Sequence, residues 1–259
     1  MSIIPENHDG PGDKVMVIVA HPDDAEFMCS GTVARWVSEG REAVYVLVTS
    51  GDKGTSDPDV VPSELAVLRE QEQRNACAVL GVGAVEFLRY EDGMVQNDLG
   101  LREDIVRMIR LHKPSAVICQ NPTVRWSGNY VNHPDHRNTG DAVMDAVFPS
   151  ARDVHMFPHL ALNEGLGAHI VEHLYLGARG ELADVKVDIS ATIEQKVAAL
   201  KAHASQIPDP SSAFDERIKG LAASVGAESG FAYAESFKYF YLGPDKTIAD
   251  RIPPTPERE

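Results

Sequence analysis

Two short polar motifs stand out because their residue types are those that bind metals and transfer protons. His21, Asp23 and Asp24 lie in the segment AHPDDAE, and His133 and His136 lie in the segment HPDH. Imidazole nitrogens and carboxylate oxygens suit zinc, and three protein ligands with one open position are typical of catalytic zinc sites. A bound cation would also relieve the repulsion between the crowded carboxylates of the first motif.

The motifs hold more candidate ligands than such a site needs. His21, Asp24, His133 and His136 compete for three positions, so one histidine remains for another role. Asp23, beside Asp24, is available as a general base. A metal-activated water, a carboxylate base and a free imidazole together suit hydrolysis of an amide or an ester. Each motif alone is weak, because HxxH segments and aspartate pairs commonly have structural roles; their joint occurrence favours a metal-dependent hydrolase.

The apolar pattern around the motifs predicts an α/β fold. Short apolar runs predict strands at 14–20, 43–49, 84–88 and 115–120, and helical patterns separate them. The alternation predicts a Rossmann-like, predominantly parallel sheet with helices on both faces. Ligands of such sheets bind outside the carboxyl ends of the strands. Both motifs follow predicted strand ends, so we expect them to meet in one crevice.

The clearest predicted helix spans residues 63–80, with Ser63 as its N-cap and Gly81 as its stop. The last third of the chain is less regular and predicts additional strands and helices. Strands are expected at 172–178, 184–189 and 236–243, and helices at 191–206 and 212–226. We find no linker and therefore expect a single domain over residues 1–259, with a core at about 14–150 and with residues 151–245 completing the pocket.

Composition excludes several classes of protein. Lys and Arg number 24 against 39 Asp and Glu, which gives a formal net charge of −15 and disfavours nucleic acid as a partner. No apolar run is long enough to cross a bilayer, and the polar start lacks a signal-peptide pattern, so a cytoplasmic location is expected. Three scattered cysteines, Cys29, Cys77 and Cys119, fit reduced core thiols better than a disulfide framework.

The two motifs carry a resemblance to a known family. AHPDDAE followed by a GT-containing helix, and HPDH much later, resemble the N-acetylglucosaminyl-phosphatidylinositol de-N-acetylase-like superfamily of zinc-dependent deacetylases. The resemblance extends over most of the chain, since further segments look like counterparts: TSGDKG, YEDGM and AALKAHASQ. It implies metal ligation by His21, Asp24 and His136. It also implies that Asp23 is the general base and that His133, once protonated, stabilises the oxyanion.

Further residues take their expected roles from the same resemblance. Asp135 matches a carboxylate that orients a metal-binding imidazole. Arg69 and Asp92 match substrate-contacting positions. Some relatives have a mobile tyrosine two residues before the first histidine of HPDH, whereas this chain has Val131 there and Tyr130 one residue earlier. Tyr130 is therefore a candidate substrate-contacting residue in an altered loop.

The implied reaction removes an acetyl group from an N-acetylglucosamine-type substrate, with a metal-bound water attacking the amide and Asp23 as general base. The expected cofactor is Zn²⁺, with another divalent metal such as Fe²⁺ as the alternative. The expected binding partner is a small N-acetylated sugar or amide substrate. The chain is also expected to form a homo-oligomer.

Three other functions remain as alternatives. The first is a hydrolase of another amide conjugate, such as a thiol-sugar or an antibiotic intermediate. The second is a non-catalytic metal-binding module. A nucleotide-binding oxidoreductase or transferase is disfavoured, because the acids of HPDD would repel a pyrophosphate and no Gly-x-Gly-x-x-Gly follows the first strand.

Overall fold

The computed structural model describes residues 14–207, 209–227 and 229–244. The polar start of the chain and both ends of the predicted domain lie outside the described residues. In the described part, seven strands form one sheet in the order β3-β2-β1-β4-β7-β9-β8. Their bounds are β1 Lys14–Val19, β2 Glu42–Thr49, β3 Ala84–Tyr90, β4 Ala116–Cys119, β7 His173–Gly177, β8 Val185–Asp188 and β9 Ala234–Tyr241. A separate hairpin pairs β5 (Trp126–Ser127) with β6 (Tyr130–Val131).

The sheet is parallel from β3 through β7, and β9 is antiparallel to both of its neighbours. Helices cover both faces, as the strand–helix alternation predicts. They are α1 Asp24–Met28, α2 Ser30–Ser38, α3 Pro62–Leu80, α4 Leu99–His112, α5 Pro134–Asp145, α6 Pro158–Glu164, α7 Ile193–Lys201 and α8 Ser212–Ala227. The predicted α/β class, with additional C-terminal strands and helices, is confirmed. None of the described helices combines the length and apolarity that crossing a membrane requires.

Alternation along β1 divides the core into two apolar layers. Val15, Val17 and Val19 pack with α1, α2, α3, α7 and α8, whereas Met16 and Ile18 pack with α4 and α5. The three cysteines are buried and unpaired, in agreement with their prediction as core thiols.

This layering creates the crevice. The chain leaves β1 for α1 on one face of the sheet and leaves the adjacent strand β4 for α5 on the other face. The two connections therefore part above the sheet, which is where parallel α/β sheets bind ligands. AHPDD forms the entry to α1 and HPDH forms the entry to α5, with Pro134 as the first residue of that helix.

Some local predictions differ from the structure. Ser63 is not the N-cap of α3: the helix begins at Pro62, and Val61 is its N-cap without a side-chain hydrogen bond. Proline suits the first helical position because its φ is already helical and no N–H is lost there, so the helix starts one residue early. The predicted loop before HPDH contains the β5–β6 hairpin, and the short helices α1 and α6 were not predicted.

We expect the contact between α5 and the end of β4 to make Gly140 irreplaceable. A Cβ at Gly140 would lie 2.5 Å from the carbonyl oxygen of Gln120, which is backbone and cannot rotate away. Gly140→Ala should therefore destabilise the fold by about 1–3 kcal/mol in denaturant unfolding, as overpacked core substitutions do. Gly220→Ala in α8 is the matched control, because nothing lies within 4 Å of its added Cβ. The control should be stabilising by about 0.5–1 kcal/mol, and an equal loss in both variants would contradict the packing argument.

Candidate metal and catalytic site

Three side chains from the two motifs converge in the crevice. Nδ1 of His21 lies 3.2 Å from Nε2 of His136 and 3.3 Å from Oδ2 of Asp24. Oδ1 of Asp24 lies 3.1 Å from Nε2 of His136. Nitrogen and oxygen ligands about 2.0–2.1 Å from a tetrahedral zinc are about 3.3–3.4 Å apart. The donor atoms and their spacing therefore fit a first-row divalent cation.

The second nitrogen of His21 faces two buried carboxylates. Nε2 lies 3.1 Å from Oδ1 of Asp92 and 3.2 Å from Oδ2 of Asp135. Backbone amides hold both acids, since Lys53 N donates to Asp92 (3.0 Å) and Gly93 N donates to Asp135 (2.7 Å). Such contacts fix the ring of a metal-binding histidine and raise its basicity.

Two amide side chains, which the sequence analysis missed, hold the other two ligands. Gln120 donates from Nε2 to Oδ2 of Asp24 (2.9 Å) and accepts from the backbone N–H of Ala20 (3.1 Å). Oδ1 of Asn132 accepts from Nδ1 of His136 (3.1 Å), which directs Nε2 of that ring at Asp24. The only sequence signal was their position, directly after β4 and directly before HPDH.

The electrostatics of the crevice favour a positive charge at His21. Burial of the ring opposes protonation, but hydrogen bonds to Asp135, Asp24 and Asp92 outweigh it and raise the pKa of His21 to about 12. Burial acts to raise the pKa of Asp92, yet its hydrogen bond with His21 lowers it to about 2. Burial likewise opposes ionisation of Asp24, while His136 and His21 hold the pKa of that carboxyl well below its ordinary value. The ring of His21 therefore faces three carboxyl groups whose negative charge favours positive charge in the crevice.

Asp23 has a different environment from its neighbour. Its φ of 91° is unusual for a residue other than glycine, and its N–H donates to Oε1 of Gln73 (3.2 Å). One guanidinium nitrogen of Arg69 donates to Oδ2 of Asp23 (3.2 Å) and to the carbonyl of Pro22 (2.6 Å). Burial and the adjacent charge of Asp24 raise the pKa of Asp23 to about 7. A carboxyl group with a pKa near neutrality can both accept and return a proton.

The predicted substrate-contacting residues Arg69 and Asp92 are buried and bound to the chain itself. Arg69 also donates to the carbonyl of Gly51 (2.9 Å), and a Cβ at Gly51 or Gly54 would come within 2.3 Å of the guanidinium. Arg69 therefore ties the loop after β2 to Asp23. Contact of Arg69 or Asp92 with substrate stays a prediction.

His133 borders the same centre: ligand nitrogens of His21, His133 and His136 lie within 4.8 Å of one another, whereas the contacts among His21, Asp24 and His136 are 3.1 to 3.3 Å. The ring of His133 meets His21 edge to face at a centroid distance of 4.9 Å, and its side chain is 42% exposed. Nδ1 accepts from the backbone N–H of Asp135 (3.2 Å), so the proton of the neutral ring lies on Nε2. Burial and the charge of His21 lower the pKa of His133.

The Tyr130 hydroxyl donates to Oδ1 of Asn132 (3.2 Å), one contact away from His136.

A second group of buried polar side chains, which the sequence did not indicate, packs against α1. Its centre is Glu26. Glu26 is fully buried; it accepts from Nε2 of Gln73 (2.9 Å) and lies 3.2 Å from Nε2 of His203. Lys196 donates to the carbonyl oxygen of Glu26 (2.7 Å). Because Gln73 contacts both Asp23 and Glu26, this group joins α3 and α7 to the turn that presents the candidate base.

Comparison with known proteins gives a consistent result. Residues 16–147 match the family described as PIG-L, GlcNAc-PI de-N-acetylase. The chain is 31% identical to the diacetylchitobiose deacetylase of Thermococcus kodakarensis, over 87% of this chain and 82% of that protein. It is 30% identical to the 1D-myo-inositol 2-acetamido-2-deoxy-alpha-D-glucopyranoside deacetylase of Thermobifida fusca, over 75% of this chain and 83% of that protein.

The fold agrees with a solved structure. The N,N'-diacetylchitobiose deacetylase from Pyrococcus horikoshii superposes with a TM-score of 0.79 at 27% identity, covering 91% of this chain and 88% of that one. The family match, the relatives and the shared fold together confirm the resemblance that the AHPDD and HPDH motifs indicate. This chain belongs to the GlcNAc-PI de-N-acetylase family.

Proposed function

We propose that the chain is a metal-dependent N-deacetylase that removes an acetyl group from an N-acetylglucosamine-type substrate. One observation carries the proposal: the triangle of His21, Asp24 and His136 lies beside a carboxyl group and an imidazole that are not needed as ligands. A passive metal-binding module would need neither Asp23 nor His133. The named relatives, which are deacetylases of acetylated amino sugars, give independent support.

His21, Asp24 and His136 would hold the metal, with Asp92, Asp135, Gln120 and Asn132 fixing their orientation. A divalent metal in such a site acts as a Lewis acid toward a carbonyl group and makes water more acidic. Zinc suits the donor set, and Fe²⁺ remains the alternative.

Asp23 is the proposed general base. Arg69 occupies Oδ2 of its carboxylate, which leaves Oδ1 to take the proton of the attacking water. The bond to Arg69 and the bond from its own N–H to Gln73 hold the carboxyl group in one orientation. Because its pKa lies near 7, Asp23 can then pass the proton to the departing amine.

His133 is the proposed donor to the developing oxyanion. The backbone N–H of Asp135 occupies Nδ1, so Nε2 carries a proton and donates even when the ring is neutral. A donor fixed in advance stabilises charge that appears only in the transition state. His133 thus supports the negative oxygen while Asp23 handles the proton.

The proposed reaction class fits more than one kind of amide substrate. An N-acetylated sugar fits the family best, and another amide conjugate is the alternative. The single-domain organisation, the cytoplasmic location and the homo-oligomeric state stay predictions.

The two adjacent aspartates should separate in their effects. Asp24→Ala removes a proposed ligand, so metal content measured by mass spectrometry should fall toward zero together with activity. Asp23→Ala should retain the metal and lower turnover by about 10²–10⁴, the usual contribution of general acid–base catalysis. Acetate release from N,N'-diacetylchitobiose and from N-acetylglucosamine measures the activity. Asp57→Ala, at an exposed position, is the control, and equal metal loss in both active-site variants would contradict the division of roles.

His133→Ala should lower kcat by about 10²–10³ with little change in metal content, as loss of one oxyanion donor does. His133→Gln, whose amide can donate from a similar position, should recover part of kcat. His136→Ala is the comparison variant, because loss of a ligand should release the metal. Metal release by His133→Ala to the same extent would make His133 a ligand and overturn this assignment.

A further inference from the structure

One cavity in the structure is larger than the proposed reaction requires. It has a volume of about 850 Å³, and its wall includes the candidate ligands Asp24 and His136. From there it extends along the hairpin β5–β6 and past the end of β7 to α8. The cavity is therefore continuous with the catalytic centre and is formed by elements on both faces of the sheet.

The size of the cavity bears on the substrate. Pockets for small organic ligands span about 300–1,000 Å³, so this one is near the upper end. The acyl group that a deacetylase removes carries only one methyl group. The cavity therefore has room for an amine side of the substrate that is larger than a single sugar ring.

The wall changes character away from the metal ligands. Near Asp24 and His136 it presents the amide side chains of Gln120, Asn121 and Asn132. Toward α8 it presents Leu182 and Leu221, which are 50% and 43% exposed; Phe27, which is 41% exposed, borders the same cavity about one helical turn after Asp24. Large apolar side chains grouped around one opening are characteristic of a binding surface.

Two of the charged side chains that border the cavity, Lys196 and Glu235, are already paired. Nζ of Lys196 donates to Oε1 of Glu235 (2.7 Å) and to the carbonyls of Glu26 and Phe27. Glu235 also accepts from the backbone amides of Gly31 and Thr32 (3.1 and 2.7 Å). These groups have little capacity left for sugar hydroxyls, whereas the apolar side chains lack a partner.

We propose that the substrate is a glycoside of N-acetylglucosamine with an uncharged apolar aglycone, alkyl or aryl, that packs against Phe27, Leu182 and Leu221. The inference rests on the proposed deacetylase function. The glycosidic carbon adjoins the carbon that bears the acetamido group, so an aglycone is attached close to the amide. With the amide at the metal ligands, the sugar lies beside the amide side chains and the aglycone extends toward α8.

The test compares glycosides that differ only in the aglycone: methyl, hexyl and benzyl N-acetylglucosaminides, with N-acetylglucosamine 1-phosphate as an anionic counterpart. Release of the free amine gives kcat/KM for the metal-loaded enzyme. We expect the hexyl and benzyl compounds to exceed the methyl compound at least tenfold, mainly through KM. The 1-phosphate is included because the exposed residues Arg125 and Arg179 also border the cavity. A preference for it over the hexyl compound overturns the proposal.

A variant pair locates the effect. Leu221→Asp places a charge in the apolar wall at a position that already contacts water, so the fold should tolerate it. It should reduce the ratio of hexyl to methyl kcat/KM at least tenfold. Leu162→Asp, on α6 and 82% exposed, is the matched control and should leave this ratio unchanged. A change of oligomeric state in Leu221→Asp, seen by size-exclusion chromatography, would assign the apolar wall to contact with a second copy and overturn the proposal.

The possible results distinguish failure of the aglycone proposal from failure of the proposed deacetylase function. Hydrolysis of the methyl compound without any gain for the hexyl and benzyl compounds overturns the apolar-aglycone proposal and leaves the deacetylase function intact. Failure to release amine from every glycoside, with metal bound, overturns the deacetylase function and this inference with it.

Discussion

The balance of negative charge at the carboxyl end of β1 is the constraint on which the rest of the structure depends. Five carboxyl groups lie in or beneath this crevice: Asp23, Asp24, Glu26, Asp92 and Asp135. A buried carboxylate without a donor costs several kcal/mol, so each one needs a partner. Their partners come from α3, from the segments that follow β4 and α7, and from the backbone amides of Lys53 and Gly93, far apart in sequence. Packing of these elements around β1 therefore makes so acidic a crevice stable, and a divalent cation held by His21, Asp24 and His136 would offset further negative charge.

The sequence predicted the centre of the site because that part depends on local pattern. Short apolar runs rich in β-branched residues favour buried strands, and the carboxyl ends of parallel strands share one edge of a sheet, so two motifs that follow strand ends were expected to meet. The roles within each motif follow from residue chemistry over a few positions. Ser63 shows the limit of such rules, because serine is a good N-cap in general but the preceding Pro62 already begins the helix.

The supporting residues were not predictable in the same way. Gln73, Gln120 and Asn132 are common residue types without a spacing pattern, and their value depends on helix rotation and strand register. Glu26 is another such residue, because an acid near the start of a helix is common. It does lie in the first turn of α1, but its burial and its contact with His203 depend on how α7 crosses that turn. Secondary-structure propensities apply to one helix or strand at a time and do not predict how two elements cross.

The candidate catalytic residues and the apolar cavity residues lie in different parts of the chain. The family match covers residues 16–147, which include the candidate ligands, the candidate base and the imidazole. Leu182 and Leu221, by contrast, lie in the irregular last third, where β7 to β9 extend the sheet beyond β4. Ligand geometry tolerates little change, because the side chains of His21, Asp24 and His136 would all have to reach one metal ion at about 2.0–2.2 Å. An apolar wall only has to keep its shape and polarity, so on the proposed function a change in the C-terminal elements would alter the aglycone that fits without moving the candidate ligands.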